Sequence, residues 1–288
     1  MSQTFNLCLS TDTLAADAQQ LGVTIEDLHN IQVEVVATLA QIDQTDQIAQ
    51  RTEQPEWQLQ LDYRVTLLLE SLAAQLEWPT WQPTQVGFVD YLWEQTCLEC
   101  FLAGGAINST VSINNAHEMG IDLADGNKTS PYIEINANPD GRYALYQFKS
   151  YRSPATLPPT PLLQADGQTR AFINWTASHC PASNGTANAE QNSLSEQIKP
   201  VICSSTLNTA AKTYHYERSF SFLLSQIYNK EDVINDTGID YIHPCVILSF
   251  STTFGTTALY FAPKHASPPD FHNLQYWSVF DKQAALAK

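Results

Sequence analysis

The chain has 288 residues, with 30 acidic side chains against 14 basic ones, a formal net charge of −16 and a pI of about 4.6. Binding to nucleic acid or to an anionic membrane requires clustered Lys and Arg, so this charge argues against both classes of partner. Residues 1–100 carry fifteen Asp and Glu against two cations, Arg51 and Arg64, so nearly all of the net negative charge lies in the first third.

The beginning of the sequence lacks the basic region and the apolar run of a secretory signal. No stretch approaches the roughly 20 apolar residues of a spanning helix. We therefore expect a cytoplasmic protein without a membrane or nucleic-acid partner.

The acidic third has apolar residues at spacings of three and four, the period of an amphipathic helix. Three such stripes run through residues 25–42, 61–76 and 86–100. Thr24 and Asp27 form a capping-box pattern ahead of the first stripe. These patterns predict a mainly helical acidic layer over 12–103.

The remainder of the chain has the signals of strands. Residues 138–141 read Asn-Pro-Asp-Gly, which favours a tight turn between strands at 132–137 and 142–151. A second hairpin is predicted from 245–250 to 257–261, and alternation over 214–222 predicts a half-buried strand. We therefore expect 104–288 to be the β-rich part.

Long irregular segments interrupt this part at 153–169, which is rich in proline, and at 178–198, which is small and polar. They could divide the chain, but 170–176 has strand character between them. We prefer a single α+β domain over 1–288, in which N-terminal amphipathic helices pack on a mainly antiparallel β-sheet with long irregular loops.

Two groups of residues resemble metal ligands. Cys97 and Cys100 have the spacing of a zinc pair, but they fall on an apolar stripe and lack a second pair, so we interpret them as core residues. The acidic group at 117–125 matches neither the zinc-protease nor the calcium-loop pattern. We predict no metal and no cofactor.

Tyrosines and cations coincide on the predicted strands. If one face of the C-terminal sheet collected them, they would form an aromatic, cationic pocket for an anionic or aromatic small molecule. The residues of this candidate pocket are Tyr146, Lys149, Tyr214, Tyr216, Arg218 and Tyr260.

The sequence contains no complete catalytic motif, and the catalytic residues of any activity stay unknown. The preferred hypothesis is a non-catalytic interaction or assembly protein that binds a protein partner or a second copy of itself, since uncharged polar surface is readily buried at contacts. The alternative is an enzyme that uses the tyrosine-lined pocket. A third hypothesis, mimicry of nucleic acid by residues 12–99, is weaker because glutamines dilute the carboxylates.

Overall fold

The computed structural model describes residues 2–42, 56–105, 130–164, 166–176, 212–227, 238–253 and 255–286. Within these ranges the strands are β1 (Gln3–Leu9), β2 (Gln32–Ile42), β3 (Glu56–Leu67), β4 (Gly87–Phe88), β5 (Cys97–Ala103), β6 (Tyr132–Ala137), β7 (Arg142–Phe148), β8 (Asn174–Thr176), β9 (Tyr214–Leu223), β10 (Tyr241–Thr252), β11 (Gly255–Ala262) and β12 (Ser278–Val279). The α-helices in the same ranges are α1 (Leu14–Leu21), α2 (Ile25–His29), α3 (Glu70–Gln75) and α4 (Lys282–Ala285). Short 3₁₀ turns lie at Pro83–Gln85, Leu92–Glu94, Leu224–Gln226 and Leu274–Tyr276.

The strands form one continuous sheet in the order β4-β7-β6-β5-β10-β11-β1-β2-β3-β9-β8, and β12 pairs with the start of β10. Strand β1 links two halves of this sheet, because Gln3–Leu7 pair with β2 while Cys8 and Leu9 pair with β11. We call β1, β2, β3, β9 and β8 the first half, and β11, β10, β5, β6, β7 and β4 the second half.

The two halves pack face to face around one apolar core. Residues from both belong to it, including Val35 and Phe220 from the first half and Leu98 and Leu248 from the second. Tyr63 on β3 stacks on Phe220, with 5.5 Å between the ring centroids. Its hydroxyl donates a hydrogen bond of 2.7 Å across the core to the carbonyl of Glu99 on β5.

The second half is buried on its other face as well. All residues of β5 and β6 are buried. On this outer face a separate aromatic layer forms, in which Phe101, Tyr132 and Tyr146 pack with Trp277. Because neither face meets water, these strands lack the alternation of a half-exposed strand.

The predicted α+β fold is wrong: the protein is mainly β, and a helical layer over 12–103 does not form. The error arises because an interval of four residues is even, so it fits one face of a strand as well as one face of a helix. In β2 the buried residues are Val33, Val35, Ala37 and Leu39. The β-branched valines favour the extended chain.

The other two stripes were misread for related reasons. In β3 the odd residues from Leu59 to Leu67 are buried, while the even ones between them are half-exposed or exposed. Helix is confined to the short α3 that follows. The third stripe is split among β4, a 3₁₀ turn and β5. The capping box at Thr24 and Asp27 is confirmed, but the helix it begins has five residues.

The strand predictions for the later part are confirmed. The Asn138–Gly141 turn joins β6 to β7, the second predicted hairpin is β10–β11, and the alternating segment is β9. The predicted loop at 178–198 lies outside the described residues. None of the helices in the described ranges combines the length and the apolar character that crossing a membrane requires.

The Tyr63 hydroxyl gives the first testable prediction. Tyr63→Phe removes the bond to Glu99 inside the core, and we expect the free energy of unfolding to fall by about 1 kcal/mol. Urea denaturation followed by Trp fluorescence measures it. Tyr91→Phe, at a ring that is 39% exposed, is the matched control and should change stability by less than about 0.5 kcal/mol. Equal effects of the two changes would contradict a stabilising role for the bond across the core.

Candidate functional site

A cavity of about 400 Å³ lies on the outer face of the second half. Two carboxyl groups, those of Glu99 on β5 and Glu134 on β6, lie at its floor. Segments from two distant parts of the chain, 152–159 and 269–272, cover it. The arrangement is a pocket with a polar floor and an apolar surround, the usual composition of a small-molecule site.

Strand register brings the two carboxyl groups together. Glu99 pairs with Asn136, and Phe101 pairs with Glu134. Side chains alternate between faces along a strand, so odd residues of β5 and even residues of β6 share the outer face. Glu99 and Glu134 are therefore diagonal neighbours on one face of the sheet, within reach of each other through their long side chains.

Both carboxyl groups are withdrawn from water, since Glu99 is 3% exposed and Glu134 is 4% exposed. Burial, and then the charge of Glu134, raise the pKa of Glu99 well above its usual range. Burial also raises the pKa of Glu134, to about 7, although a hydrogen bond from Asn136 and the charge of Arg152 oppose the shift. Both carboxyl groups therefore keep a proton to a higher pH than an exposed glutamate does, and Glu134 changes its ionisation near neutral pH.

His272 connects Glu134 to the cover of the cavity. Its Nε2 lies 3.9 Å from Glu134 Oε2, and its Nδ1 lies 2.8 Å from the Tyr132 hydroxyl. The Tyr132 hydroxyl accepts a hydrogen bond from the backbone N–H of Arg152, so the hydroxyl proton can be donated to Nδ1 of His272. When the hydroxyl donates to Nδ1, the proton of the neutral ring is on Nε2, which faces the carboxyl group of Glu134.

The imidazole of His272 is neutral in this setting. Burial, and then the nearby Arg152, lower the pKa of His272 to about 3. Glu134 is therefore not neutralised by a histidine cation. Among the described residues, no Lys or Arg lies within ion-pair distance of Glu99 or Glu134.

An ion pair joins the two covering segments at the edge of the cavity. Arg152 donates to Asp270 at 2.9 Å, and the Tyr151 hydroxyl donates to the other oxygen of Asp270 at 2.5 Å. Burial alone would raise the pKa of Asp270, but these two hydrogen bonds hold it below its usual value. Arg152 has a φ of 49°, a left-handed conformation that costs free energy in a residue other than glycine.

Aromatic rings form the walls. The rings that line the cavity are those of Trp93, Phe101, Phe148, Tyr260 and Phe271. His272 packs edge-on against Phe101 and Phe148, at centroid distances of 5.1 Å and 5.2 Å. Leu157, which is 71% exposed, lies at the rim and marks the side on which the cavity meets solvent.

Further polar groups lie near the floor. Cys97 and Cys245 are buried on the same outer face, and burial, followed by the charge of Glu99, raises the pKa of both thiols well above the usual range. They are consequently protonated and poor nucleophiles. His243 is stacked on Trp277, and burial lowers its pKa to about 3.

The six residues of the pocket predicted from the sequence do not lie together, because some are in the first half of the sheet and some in the second. Tyr260 lines the cavity, and Tyr146 contacts its wall residue Trp93, with 5.9 Å between ring centroids. Lys149 is exposed just beyond β7. The other three predicted residues, Tyr214, Tyr216 and Arg218, lie on β9 in the first half.

Those three residues have separate structural contacts. Tyr216 donates to the carbonyl of Ala73, and Arg218 donates to the carbonyl of Pro139 in the β6–β7 turn. Tyr214 lies beside Lys212, whose ammonium group is 5.0 Å from the ring centroid. The structure therefore brings two of the six predicted residues, Tyr146 and Tyr260, to the cavity side.

Sequence reasoning missed the two floor carboxyls, although a signal for them was present. Glu99 interrupts the apolar run of β5, and Glu134 interrupts that of the correctly predicted β6. A carboxylate in the middle of an otherwise apolar strand is rarely buried without a reason. The covering residues Arg152, Asp270 and His272 lie in irregular segments, so no periodic pattern marks them.

The interpretation of Cys97 and Cys100 as core residues is confirmed, since both are fully buried and free. They lie on a strand rather than on a helix, and they belong to the clusters on opposite faces of the sheet. The acidic group at 117–125 lies outside the described residues. Among the residues that are described, no group of three or more His, Cys, Asp and Glu could hold a metal ion.

Comparison of this chain with known protein families, with curated proteins and with solved structures finds no match. The site must therefore be interpreted from its own chemistry.

The raised pKa of Glu134 predicts a pH-dependent stability. The folded state holds this proton up to about pH 7, whereas the unfolded state loses it near the ordinary value of 4.5. The contribution of Glu134 to the free energy of unfolding therefore decreases as the pH rises between these values. Glu134→Gln removes the effect, so the stability of the variant relative to the native protein should rise by on the order of 2 kcal/mol across that window.

Urea denaturation of both proteins at a series of pH values measures this difference, from which the titrations of groups that do not interact with Glu134 largely cancel. Glu26→Gln, at an exposed carboxylate of α2, is the control for a Glu-to-Gln change outside the cavity. A flat difference for Glu134→Gln would contradict the assignment of a raised pKa.

Proposed function

We propose that the protein is an enzyme that performs general acid–base chemistry on a small organic molecule bound in the cavity. The observation that supports this most directly is the pair of buried carboxyl groups, Glu99 and Glu134, at the floor of a solvent-connected pocket. Enzymes use such environments to shift carboxyl pKa values toward the pH at which they work.

A purely structural role does not explain the pair. Burial of two neighbouring carboxyl groups without a cation costs free energy, and apolar residues would fill the same positions at lower cost. Asp140, another buried carboxylate, provides the contrast, because Arg142 donates to it at 2.7 Å. Glu99 and Glu134 have no such partner among the described residues, and both face the cavity.

The two carboxyl groups suit complementary roles. Glu99, whose pKa is raised well above its usual range, can act as the general acid, while Glu134, with a pKa of about 7, can act as the general base. His272, with its Nε2 facing Glu134, is a positioning residue. The protonated thiols nearby argue against nucleophilic catalysis by cysteine.

A small-molecule screen tests the proposal. We expect at least one member of a metabolite library to raise the Tm of the native protein, since a ligand that binds only the folded state stabilises it. Incubation of each hit with enzyme, followed by NMR, should reveal a product. Glu99→Gln and Glu134→Gln should each lower the rate by at least about 100-fold, the usual contribution of a general acid or base.

The control is Glu26→Gln, which should keep the native rate. A library without hits would overturn the proposal, and hits that are never converted would overturn its catalytic part. Equal rates in the native protein and both cavity variants would assign any turnover to another site.

Self-association is a second candidate, and an exposed apolar patch beside β4 favours it. Its members, Trp81, Val86, Val89 and Tyr91, are 38–44% exposed. Strand β4 ends the described sheet order, and the free side of an edge strand can pair with another chain. Exposed apolar side chains beside an edge strand can be buried between two copies of a chain.

Size-exclusion chromatography with light scattering tests this candidate. We expect a dimer or larger species at high protein concentration, and we expect Val86→Lys with Val89→Lys to dissociate it, because two charges would have to be buried at the contact. Glu26→Gln should leave the mass unchanged. A strict monomer at high concentration would argue decisively against self-association.

A further inference from the structure

We propose that the ligand of the cavity is an organic cation, an amine whose ammonium group binds between Glu99 and Glu134 while its apolar part packs on the aromatic walls. This inference rests on the proposed function, because it names the class of molecule for the same site. It is carried by the charge balance of the lining, by an excess of hydrogen-bond acceptors at the floor and by the rings around them.

The lining is acidic. It contains three carboxyl groups, those of Glu99, Glu134 and Asp270, against one guanidinium, that of Arg152. That guanidinium is already bonded to Asp270. An ammonium ion would supply the positive charge that the floor lacks when Glu134 is ionised, and it would do so where water screens the attraction poorly.

The floor, together with its neighbour Asn136, also has more acceptors than donors. Asn136 donates its Nδ2 proton to Glu134 Oε1 at 2.6 Å, while its own Oδ1 is buried without a hydrogen-bond partner among the described residues. A primary ammonium group carries three donors and no acceptor. Its hydrogen-bonding capacity therefore complements the carboxyl oxygens of Glu99 and Glu134, which line the cavity.

The walls favour the same class of ligand. The five lining rings present π-electron density, and a cation near such rings gains an electrostatic attraction. The apolar part of an amine would meanwhile cover ring surface. An anionic ligand would instead face the two floor carboxyls and would have only the engaged Arg152 as a cation.

Binding of an amine should be linked to the ionisation of Glu134. The titratable and charged groups that interact with this carboxyl are Glu99 and Cys97 on β5, Tyr132 on its own strand, Tyr146 on β7, Cys245 on β10, Arg152, and His272 from the cover. Below about pH 7, Glu134 holds a proton that an ammonium ligand must displace. Affinity for the amine should therefore increase by about tenfold between about pH 6 and about pH 8.

Isothermal titration with three probes of similar shape tests the inference: 2-phenylethylamine, 2-phenylethanol and 3-phenylpropanoate. The amine is a cation at neutral pH, the alcohol is neutral and the acid is an anion. We expect the amine to bind at least about tenfold more tightly than the alcohol, and the acid to bind most weakly. In the double variant Glu99→Gln with Glu134→Gln, this preference and its pH dependence should disappear, whereas Glu26→Gln should retain both.

The outcomes separate the two proposals. Binding of the alcohol or the acid as tight as that of the amine would overturn the cationic class and leave the pocket as the proposed site. A preference for the amine that survives in the double variant would place cation binding elsewhere and overturn the inference. No binding by any probe would overturn the inference, and an empty library screen in addition would overturn the proposed function.

Discussion

The chemistry of the site depends on one constraint: β5 and β6 are buried on both faces. In a sandwich of two sheets, the outer face of each sheet ordinarily meets water, and charged side chains there keep their usual pKa values. Here the inner face packs on the first half, and the outer face is covered by an aromatic layer. Glu99 and Glu134 therefore lie on the outer face of a sheet but are shielded from the water that usually contacts that face.

The cover that creates this environment is built from segments far apart in the chain. Trp277 contacts Phe101 and Tyr132, and its indole N–H donates to the carbonyl of Phe271. The segment after β7 joins this C-terminal part through Arg152 and Asp270. Because the cover depends on long-range contacts, the site forms only when the covering segments 152–159 and 269–272 have packed against each other and on the sheet.

This dependence explains how much could be predicted. Local signals were sufficient for the β6–β7 turn at Asn138–Gly141 and for alternation in β9, since each is encoded within a few residues. The prediction of helices in the acidic third was wrong because apolar residues four apart fit one face of a strand and one face of a helix alike. The floor carboxyl groups were not predicted for a different reason. The cover determines whether the carboxyl group of Glu99 is exposed to water, and local sequence does not specify the cover.

Burial of Glu99 separates it from the other carboxylates of the acidic first third. By sequence, Glu99 is one of the fifteen carboxylates of the first third. Glu34 and Asp62 in that third lie on partly exposed strand positions, where they act as ordinary surface charge, and Glu34 pairs with Arg64. Glu99 differs because its carboxyl group is turned away from water and toward a second carboxyl group. What distinguishes a candidate catalytic carboxylate from a solubilising one in this protein is therefore the face of the strand and its cover, and not the local density of acidic residues.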